Sequence, residues 1–281
     1  MKIDGNKLTD KILTSLSNQV SSLHLAPSLA VILVGDNPAS ESYVRQKQKA
    51  ANSIHAEVKV IRYPQSVSRS VINETIEQLN NDSSVHGVIL QLPLPPHFDV
   101  SINESVDPKK DVDGFVPGSK FQVPVALAVE KILQKIYEVR FTKYEKNNFI
   151  SWLLKQTIVV IGRGETAGKP IADYLIQQGC NISVIHSQTS EKEKQRTLTN
   201  ADIIISCVGK QRVVTPGGIK KGVILISVGI FRDSEGKLHG DYEEDEIRNI
   251  ASFYTPTPGG VGPVNVACLL ENLVTAANSV N

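Results

Sequence analysis

The chain has 281 residues, of which 41% are hydrophobic and 21% are charged, and its formal net charge is +1. At about 150 residues per domain this length indicates two domains, and the composition is that of a folded protein rather than a disordered one. The near-neutral charge gives no electrostatic reason to expect nucleic acid or an anionic membrane as a partner.

The cysteines and the apolar runs bear on metal binding and location. Cys180, Cys207 and Cys268 lie far apart, and none belongs to a CxxC pattern or a Cys/His cluster. We therefore expect no metal site, and reduced thiols of the kind found in the cytoplasm. The first residues lack a secretory apolar region, and no apolar run reaches the about 18 residues of a transmembrane helix. The expectation is a cytoplasmic protein that does not enter a membrane.

In the first part of the chain, helical and strand patterns alternate. Apolar spacing predicts helices over residues 6–23, from Asn37-Pro38 to about 52, and over 68–80. Short apolar or alternating runs predict strands at residues 28–34, 57–63 and 85–92. This alternation favours a parallel sheet with helices on its faces.

A second strand–helix series follows a helix predicted over 124–138 and a linker predicted over 140–155. Its strands are expected at residues 157–161, 181–185, 202–208, 223–228 and from Phe253-Tyr254. Its helices are expected at 168–178, from Asp241 to Ile250, and at 264–278. We therefore predict an α/β protein with a first domain over 1–123 and a Rossmann-type domain over 124–263.

A glycine-rich turn joins the first strand and helix of this second series. Gly162, Gly164 and Gly168 form a GxGxxxG pattern, where the Rossmann fingerprint has GxGxxG. Glycines let the backbone approach a pyrophosphate, and the helix N-terminus supplies amide donors. The pattern favours a nucleotide site, although a plain strand-to-helix turn would look similar.

The end of the next strand favours NADP over NAD. An NAD site usually has an acidic residue there for the ribose hydroxyls, but this strand ends in the sequence IHSQT. Ser187 can donate to a 2′-phosphate, and Arg163 offers it a charge-assisted partner. The alternative is that both side chains belong to solvated loops.

The helix after the first strand carries Tyr43 and Lys47, which share one face because they are four residues apart. A tyrosine there could stack on a flat ligand, and a partly desolvated lysine could transfer protons. Spacing alone, however, favours an exposed face with a snorkelling lysine. Gln91, near a strand end, could orient the lysine or be a polar strand terminus. Asp111 and Asp113, two acids two residues apart in the run KKDVDG, could bind donor groups of a ligand, although such a run is more often a solvated turn.

Together, these segments resemble the bifunctional methylenetetrahydrofolate dehydrogenase/methenyltetrahydrofolate cyclohydrolase family. The matching stretches are VGDNPASESYVRQKQKA (34–50), HGVILQLPLP (86–95), KDVDGF (110–115), VVIGRGETAGKP (159–170), HSQT (186–189), ADIIISCVGK (201–210) and YTPTPGGVGPVNVACLLEN (254–272). They follow the family's order and span nearly the whole chain.

The resemblance implies roles for individual residues. Lys47 would be the central catalytic residue, Tyr43 would stack on the folate, Gln91 would hold Lys47, and Asp113 would grip the pterin. The implied substrate-binding residues also include Leu92, Pro258, Gly259 and Gly260. The implied NADP-binding residues are Gly162, Arg163, Gly164, Gly168, Ser187, Val208, Gly209, Gly229 and Ile230.

The family fold has two α/β domains facing across a cleft, a C-terminal helix (here 264–281) that returns to the first, and usually a homodimer formed through the cofactor domain. The implied activity is oxidation of 5,10-methylenetetrahydrofolate with NADP, then hydrolysis of the methenyl product to 10-formyltetrahydrofolate.

Departures from the family pattern leave alternatives open. The family commonly has serine at Gly164, aspartate at Ser227 and threonine at Asn265. The changes at Ser227 and Asn265 motivate a second hypothesis, a cyclohydrolase with weakened dehydrogenase activity. A third hypothesis is a non-catalytic folate- or nucleotide-binding protein, although the intact Tyr43 and Lys47 argue against a mere binder.

Overall fold

The computed structural model describes residues 1–23, 25–98, 105–141 and 148–279. The chain forms two compact units. The three-stranded unit comprises Asp10–Pro124 and Val266–Asn281, and the five-stranded unit comprises Met1–Thr9 and Val125–Asn265. The five-stranded unit includes the first nine residues, which the sequence assigned to the first domain. They belong there because the amide N–H of Ile3 donates to the carbonyl of Tyr254 (2.8 Å) and that of Gly5 to Gly259 (2.8 Å).

The three-stranded unit is a parallel sheet covered by helices. Its elements in chain order are α1 (Gly5–Ser21, whose first residues lie in the other unit), β1 (Ser28–Val34), α2 (Pro38–Ser53), β2 (Glu57–Tyr63), α3 (Arg69–Asn81) and β3 (Gly87–Leu90). The described strands are ordered β2-β1-β3 and all pairs are parallel. β1 lies in the middle and every residue of it is buried, which explains its unbroken apolar run.

The five-stranded unit is a doubly wound parallel sheet. Its elements in chain order are α4 (Pro124–Arg140), α5 (Phe149–Leu153), β4 (Ile158–Ile161), α6 (Gly168–Gln177), β5 (Ile182–Ile185), α7 (Glu191–Asn200), β6 (Ile203–Ser206), β7 (Ile224–Ser227), β8 (Phe231–Arg232), β9 (Leu238–His239), α8 (Glu244–Ile247) and β10 (Phe253–Tyr254). The order of the described parallel strands is β10-β7-β6-β4-β5, and β8 and β9 form an antiparallel hairpin. The winding reverses between β4 and β6, which is where such sheets bind ligands.

Two predicted segments differ in the structure, and one helix was not predicted. The predicted helix Asp241–Ile250 is wrong in extent, because only Glu244–Ile247 is helical and Asp241 is fully buried ahead of it. The predicted linker 140–155 contains α5, and its residues 142–147 lie outside the described part of the chain. α7 was not predicted because none of its residues is buried, so it has no apolar periodicity.

The last helix, α9 (Val261–Asn278), supplies part of the core of the three-stranded unit. Leu269, Leu270 and Leu273 are buried in one cluster with Leu29 and Val31 of β1. The side chain of Asn272 donates to the carbonyls of Val112 (2.9 Å) and Gln122 (3.0 Å). The predicted return of the C-terminal helix to the first domain is confirmed. Among the described residues, no helix is both long and apolar enough to cross a membrane.

Candidate active site and cofactor site

Lys47 lies on the buried face of α2. The helix begins where the side chain of Asn37 accepts the amides of Ala39 (2.9 Å) and Ser40 (3.2 Å), so the predicted N-cap is present. Its buried residues are Ser40, Val44, Lys47 and Ala51, spaced as one helical stripe. Lys47 is only 8% exposed. The alternative of an exposed, snorkelling lysine is therefore wrong.

A side chain from the end of the neighbouring strand meets Lys47. The Nζ atom of Lys47 donates to Oε1 of Gln91 at 2.9 Å, in a buried contact. The Nε2 atom of Gln91 donates to the carbonyl of Leu92 (2.8 Å), which also accepts from Oγ of Ser40 (3.4 Å). These contacts fix which end of the Gln91 amide faces the lysine. Gln91 thus presents an acceptor to Lys47 without adding a charge.

Asp113 is held near Lys47 by a loop that Asp111 organises. The buried carboxylate of Asp111 accepts the amides of Gly114 (3.1 Å) and Val116 (2.8 Å). Gly114 has φ +73°, and an added Cβ would approach the carbonyl oxygen of Phe121 at 2.8 Å, so this position requires glycine. The run KKDVDG is therefore a constrained loop with a buried acid, and its interpretation as a solvated turn is wrong.

The electrostatic state of the site follows from burial. Burial lowers the pKa of Lys47, because a desolvated ammonium is disfavoured, and the negative charge of Asp113 partly opposes this effect. Burial likewise raises the pKa of Asp113, and Lys47 partly opposes it. Both shifts favour uncharged forms of the two groups. The pair is therefore suited to exchanging a proton with a bound ligand.

The surroundings of Asp113 are mainly apolar. A cavity of about 20 Å³, room for about one water molecule, lies beside it and is lined by side chains that include Leu90, Leu92 and Phe115. Tyr43 lies one turn before Lys47 on α2 and is half-buried.

In the five-stranded unit, the glycine-rich turn leads from β4 into α6. Gly162 has φ +102°, and an added Cβ would approach the carbonyl oxygen of Cys207 at 2.9 Å. A Cβ on Gly168 would collide with the carbonyl oxygen of Gly162, whereas one on Gly164 would meet nothing within 4 Å. Two of the three glycines are thus required by close backbone approach, as a pyrophosphate-binding turn needs.

The other predicted cofactor residues follow the carboxyl ends of adjacent strands. Ser187 is exposed after β5, and Nη2 of Arg163 donates to Oε1 of Gln188 at 3.0 Å. After β6 and β7, an added Cβ on Gly209 would approach the carbonyl oxygen of Ile230 at 2.8 Å, so these two loops touch. The predicted residues of this group, including Val208 and Gly229, therefore lie along one edge of the sheet.

The remaining predicted substrate residues, Pro258, Gly259 and Gly260, lie in a loop of the five-stranded unit. Gly259 has φ +91°, and its carbonyl accepts the amide of Gly5. Lys47 and Gln91 belong to the three-stranded unit. Among the described residues, no cluster of His, Cys, Asp or Glu could hold a metal ion.

The sequence did not single out Asp241, a buried acid that holds a loop. Nothing in its local sequence distinguishes it from a surface acid. Asp111 was expected, with Asp113, to bind ligand donors, but its carboxylate accepts backbone amides of its own loop. Their contacts became visible only in the folded chain.

Comparisons with known proteins identify the family of the chain. The model of the catalytic domain of the tetrahydrofolate dehydrogenase/cyclohydrolase family matches residues 3–113, and that of its NAD(P)-binding domain matches residues 147–281. The bifunctional protein FolD of Lactococcus lactis subsp. lactis (strain IL1403) is 38% identical, over 98% of this chain and 96% of its own length.

Solved structures show the same relationship. The bifunctional FolD methylenetetrahydrofolate dehydrogenase/cyclohydrolase of Campylobacter jejuni is similar with a TM-score of 0.90 and 36% identity, covering 99% of both chains. The FolD of Trypanosoma brucei, solved with NADP cofactor and an inhibitor, has a TM-score of 0.89 and 29% identity, covering 99% of this chain and 97% of its own. The resemblance seen in the sequence is confirmed: this chain belongs to the tetrahydrofolate dehydrogenase/cyclohydrolase family.

Proposed function

We propose that this protein oxidises 5,10-methylenetetrahydrofolate to 5,10-methenyltetrahydrofolate with NADP and hydrolyses the product to 10-formyltetrahydrofolate. The three-stranded unit would bind the folate, and the five-stranded unit would bind NADP. The observation that carries the proposal is the buried contact between Lys47 and Gln91 beside Asp113, within the segment that matches the family's catalytic domain. A protein that only bound folate would not need a desolvated amine at this position.

In the hydrolytic step, water attacks the methenyl carbon, which carries positive charge shared with its two nitrogens. The attacking water must lose a proton, and a ring nitrogen must gain one as its bond to that carbon breaks. The hydroxyl of the adduct then releases its proton to solvent as the formyl carbonyl forms, so the reaction yields one proton overall. Lys47 in its neutral form can accept the first proton and return it. Its lowered pKa makes this form more accessible, and Gln91 orients the amine without the stabilising charge that a carboxylate would supply.

The folate itself would be held by the residues around the amine. Asp113 would bind donor groups on the polar edge of the pterin, and Tyr43 would stack on its face. Apolar side chains beside Asp113, among them Leu90, Leu92 and Phe115, would pack against the ring. Lys47 then has one task, proton transfer, while its neighbours position the substrate.

The five-stranded unit fits a dinucleotide on structural grounds. Close backbone approach at Gly162 and Gly168 leaves the α6 N-terminus open to a pyrophosphate. Arg163 and Ser187 would contact the 2′-phosphate, and no acidic side chain occupies the end of β5 to repel it. When bound, NADP would supply the hydride acceptor for the oxidation.

An absorbance assay with purified protein tests both activities and the cofactor. We expect methylenetetrahydrofolate oxidation to be faster with NADP than with NAD, and methenyltetrahydrofolate to be hydrolysed without cofactor. Arg163→Ala should raise the KM for NADP by at least about tenfold, because a charge-assisted phosphate contact is lost, and leave the KM for NAD unchanged. The exposed Arg196→Ala is the matched control.

The same assay decides between the remaining hypotheses. Hydrolysis with only a trace of NADP reduction would favour a cyclohydrolase with weakened dehydrogenase activity, which the residues at Ser227 and Asn265 motivate. The absence of turnover of either folate would reject the enzyme proposal in favour of a binding protein. The open space at Gly164 argues against a damaged cofactor turn, because glycine there removes a side chain without removing a contact that packing requires.

Family resemblance also supports a cytoplasmic homodimer joined through the cofactor unit. β5 is at the edge of its sheet, and Ser183 and Val184 are exposed on it, so this strand could contact a second copy. We expect sedimentation equilibrium to give twice the chain mass, and Val184→Lys to shift the protein towards monomer. A wild-type mass of one chain at micromolar concentration would contradict the dimer.

A further inference from the structure

Asp241 is a buried carboxylate that the proposed chemistry does not use. It lies between β9 and α8 and is 0% exposed. Its Oδ2 atom accepts from Oγ of Ser206 (2.7 Å) and from the amide of Val208 (3.1 Å), and its Oδ1 atom accepts the amide of Lys210 (2.9 Å). One side chain therefore holds both sides of the β6 loop, whose central residue is Gly209.

The backbone of Asp241 is also hydrogen-bonded to the β7 loop, the segment that follows β7. Its amide donates to Oγ of Ser227 (2.9 Å), and that hydroxyl donates to the carbonyl of Gly229 (3.2 Å). A Cβ added to Gly229 would collide with both Oδ2 of Asp241 and the amide nitrogen of Gly209. The two loops and the carboxylate are in direct contact, so the position of one sets the position of the others.

These loops are the ones assigned to the cofactor. They extend from the carboxyl ends of β6 and β7, on the side of the sheet where the winding reversal beside β4 creates a ligand crevice. Val208 and Ile230, which flank the two glycines, are 37% and 38% exposed and so remain available to a ligand. Asp241 is itself hidden behind them and cannot reach a ligand directly.

We propose that Asp241 is a positioning residue for NADP: its carboxylate, together with the hydroxyl of Ser227, sets the two backbone loops against which the cofactor binds. This inference rests on the proposed dehydrogenase function. Asp241 acts only through Val208–Lys210 and Gly229, and the hydrolytic site in the other unit does not depend on it.

The chemistry of the carboxylate makes the idea testable with an isosteric change. A carboxylate is acceptor-only and satisfies both amides, whereas asparagine would place an NH₂ group against one of them. Oγ of Ser206 can rotate to accept, but the amide of Val208 cannot. Asp241→Asn therefore leaves one buried amide without an acceptor, and the β6 loop must move.

Asp202 provides a control. It directly precedes β6, whereas the contacts of Asp241 lie at the carboxyl end of β6. The carboxylate of Asp202 accepts the amide of Thr157 (2.8 Å) and pairs with Lys220 (2.6 Å), at the amino ends of the strands and away from the cofactor edge. Asp202→Asn also removes a carboxylate that links segments of the sheet. Asp202 is partly exposed whereas Asp241 is buried, so thermal unfolding of both variants is recorded alongside binding to separate a change in stability from a change in affinity.

The experiment measures NADP binding by calorimetry in the wild type, Asp241→Asn and Asp202→Asn, together with KM and kcat for both activities. We expect Asp241→Asn to raise the Kd and the KM for NADP by about tenfold or more, the loss of one well-made buried contact, while cofactor-free hydrolysis is unchanged. Asp202→Asn should leave the Kd for NADP at the wild-type value. Ser227→Ala should also raise the Kd for NADP. It is the alternative test if Asp241→Asn does not fold.

The outcomes separate this inference from the proposed function. Wild-type affinity for NADP in both Asp241→Asn and Ser227→Ala would overturn the positioning role and leave the dehydrogenase proposal standing. Equal losses in Asp241→Asn and Asp202→Asn would also overturn it, because they would indicate general destabilisation. A wild-type protein that binds no NADP would reject the dehydrogenase half of the function and this inference with it.

Discussion

Lys47→Met is expected to lower the cyclohydrolase rate by about 10²–10⁴-fold, the contribution of a well-placed proton-transfer group. Methionine fills a similar volume on the buried stripe of α2 and needs no hydrogen-bond partner, so the helix and its core should persist. Loss of the amine removes the group that takes the proton from water, while the pocket around Asp113 remains. The measurement is the rate of methenyltetrahydrofolate hydrolysis after subtraction of the uncatalysed rate, with thermal unfolding as a check on the fold.

Two further variants show whether the neutral amine is what matters. Lys49→Met changes an exposed lysine of the same helix and should retain full activity. Lys47→Arg keeps a positive donor near Gln91 but cannot become neutral, so it should be about as inactive as Lys47→Met. Full hydrolysis by folded Lys47→Met would eliminate the role given to this residue, and activity in Lys47→Arg would show that positive charge is sufficient.

Gly168→Ala is expected to abolish NADP-dependent oxidation almost completely. Its Cβ would collide with the carbonyl oxygen of Gly162, so the turn between β4 and α6 must open. A shift of about 1 Å in a binding element typically costs about 10²-fold in rate, and we expect a loss of at least that size. Hydrolysis of methenyltetrahydrofolate should not change, because it requires no cofactor. Both rates can be measured on one preparation.

Gly164→Ala adds the same methyl group four residues earlier in the same turn. Nothing lies within 4 Å of its Cβ position, so NADP binding and oxidation should remain close to wild type. Comparing Gly168→Ala with Gly164→Ala shows whether glycine is required for steric reasons at one position or whether any added methyl group disturbs the turn. Equal losses in the two variants, or normal oxidation by Gly168→Ala, would contradict the assignment of this turn to the pyrophosphate.

The elements that could be predicted from the sequence are those with a strong local pattern. The β1 strand is an unbroken apolar run because it is the central strand of its sheet and buried on both faces. α2 begins at Asn37-Pro38 because capping depends on adjacent residues. α7 could not be predicted in this way, since a helix with no buried face has no apolar period.

By itself, the sequence determined the two α/β series, the glycine-rich turn and the family, because these depend on local spacing and on motifs in order. Only the tertiary structure decided that Lys47 is buried against Gln91, and that Asp241 holds a loop more than 30 residues before it in the chain. Burial and long-range hydrogen bonds depend on which segments the fold brings together. The residues next to a lysine or an aspartate in the sequence do not show whether its side chain faces water or a buried amide. Its pKa and its hydrogen-bond partners are therefore set only once the chain is folded.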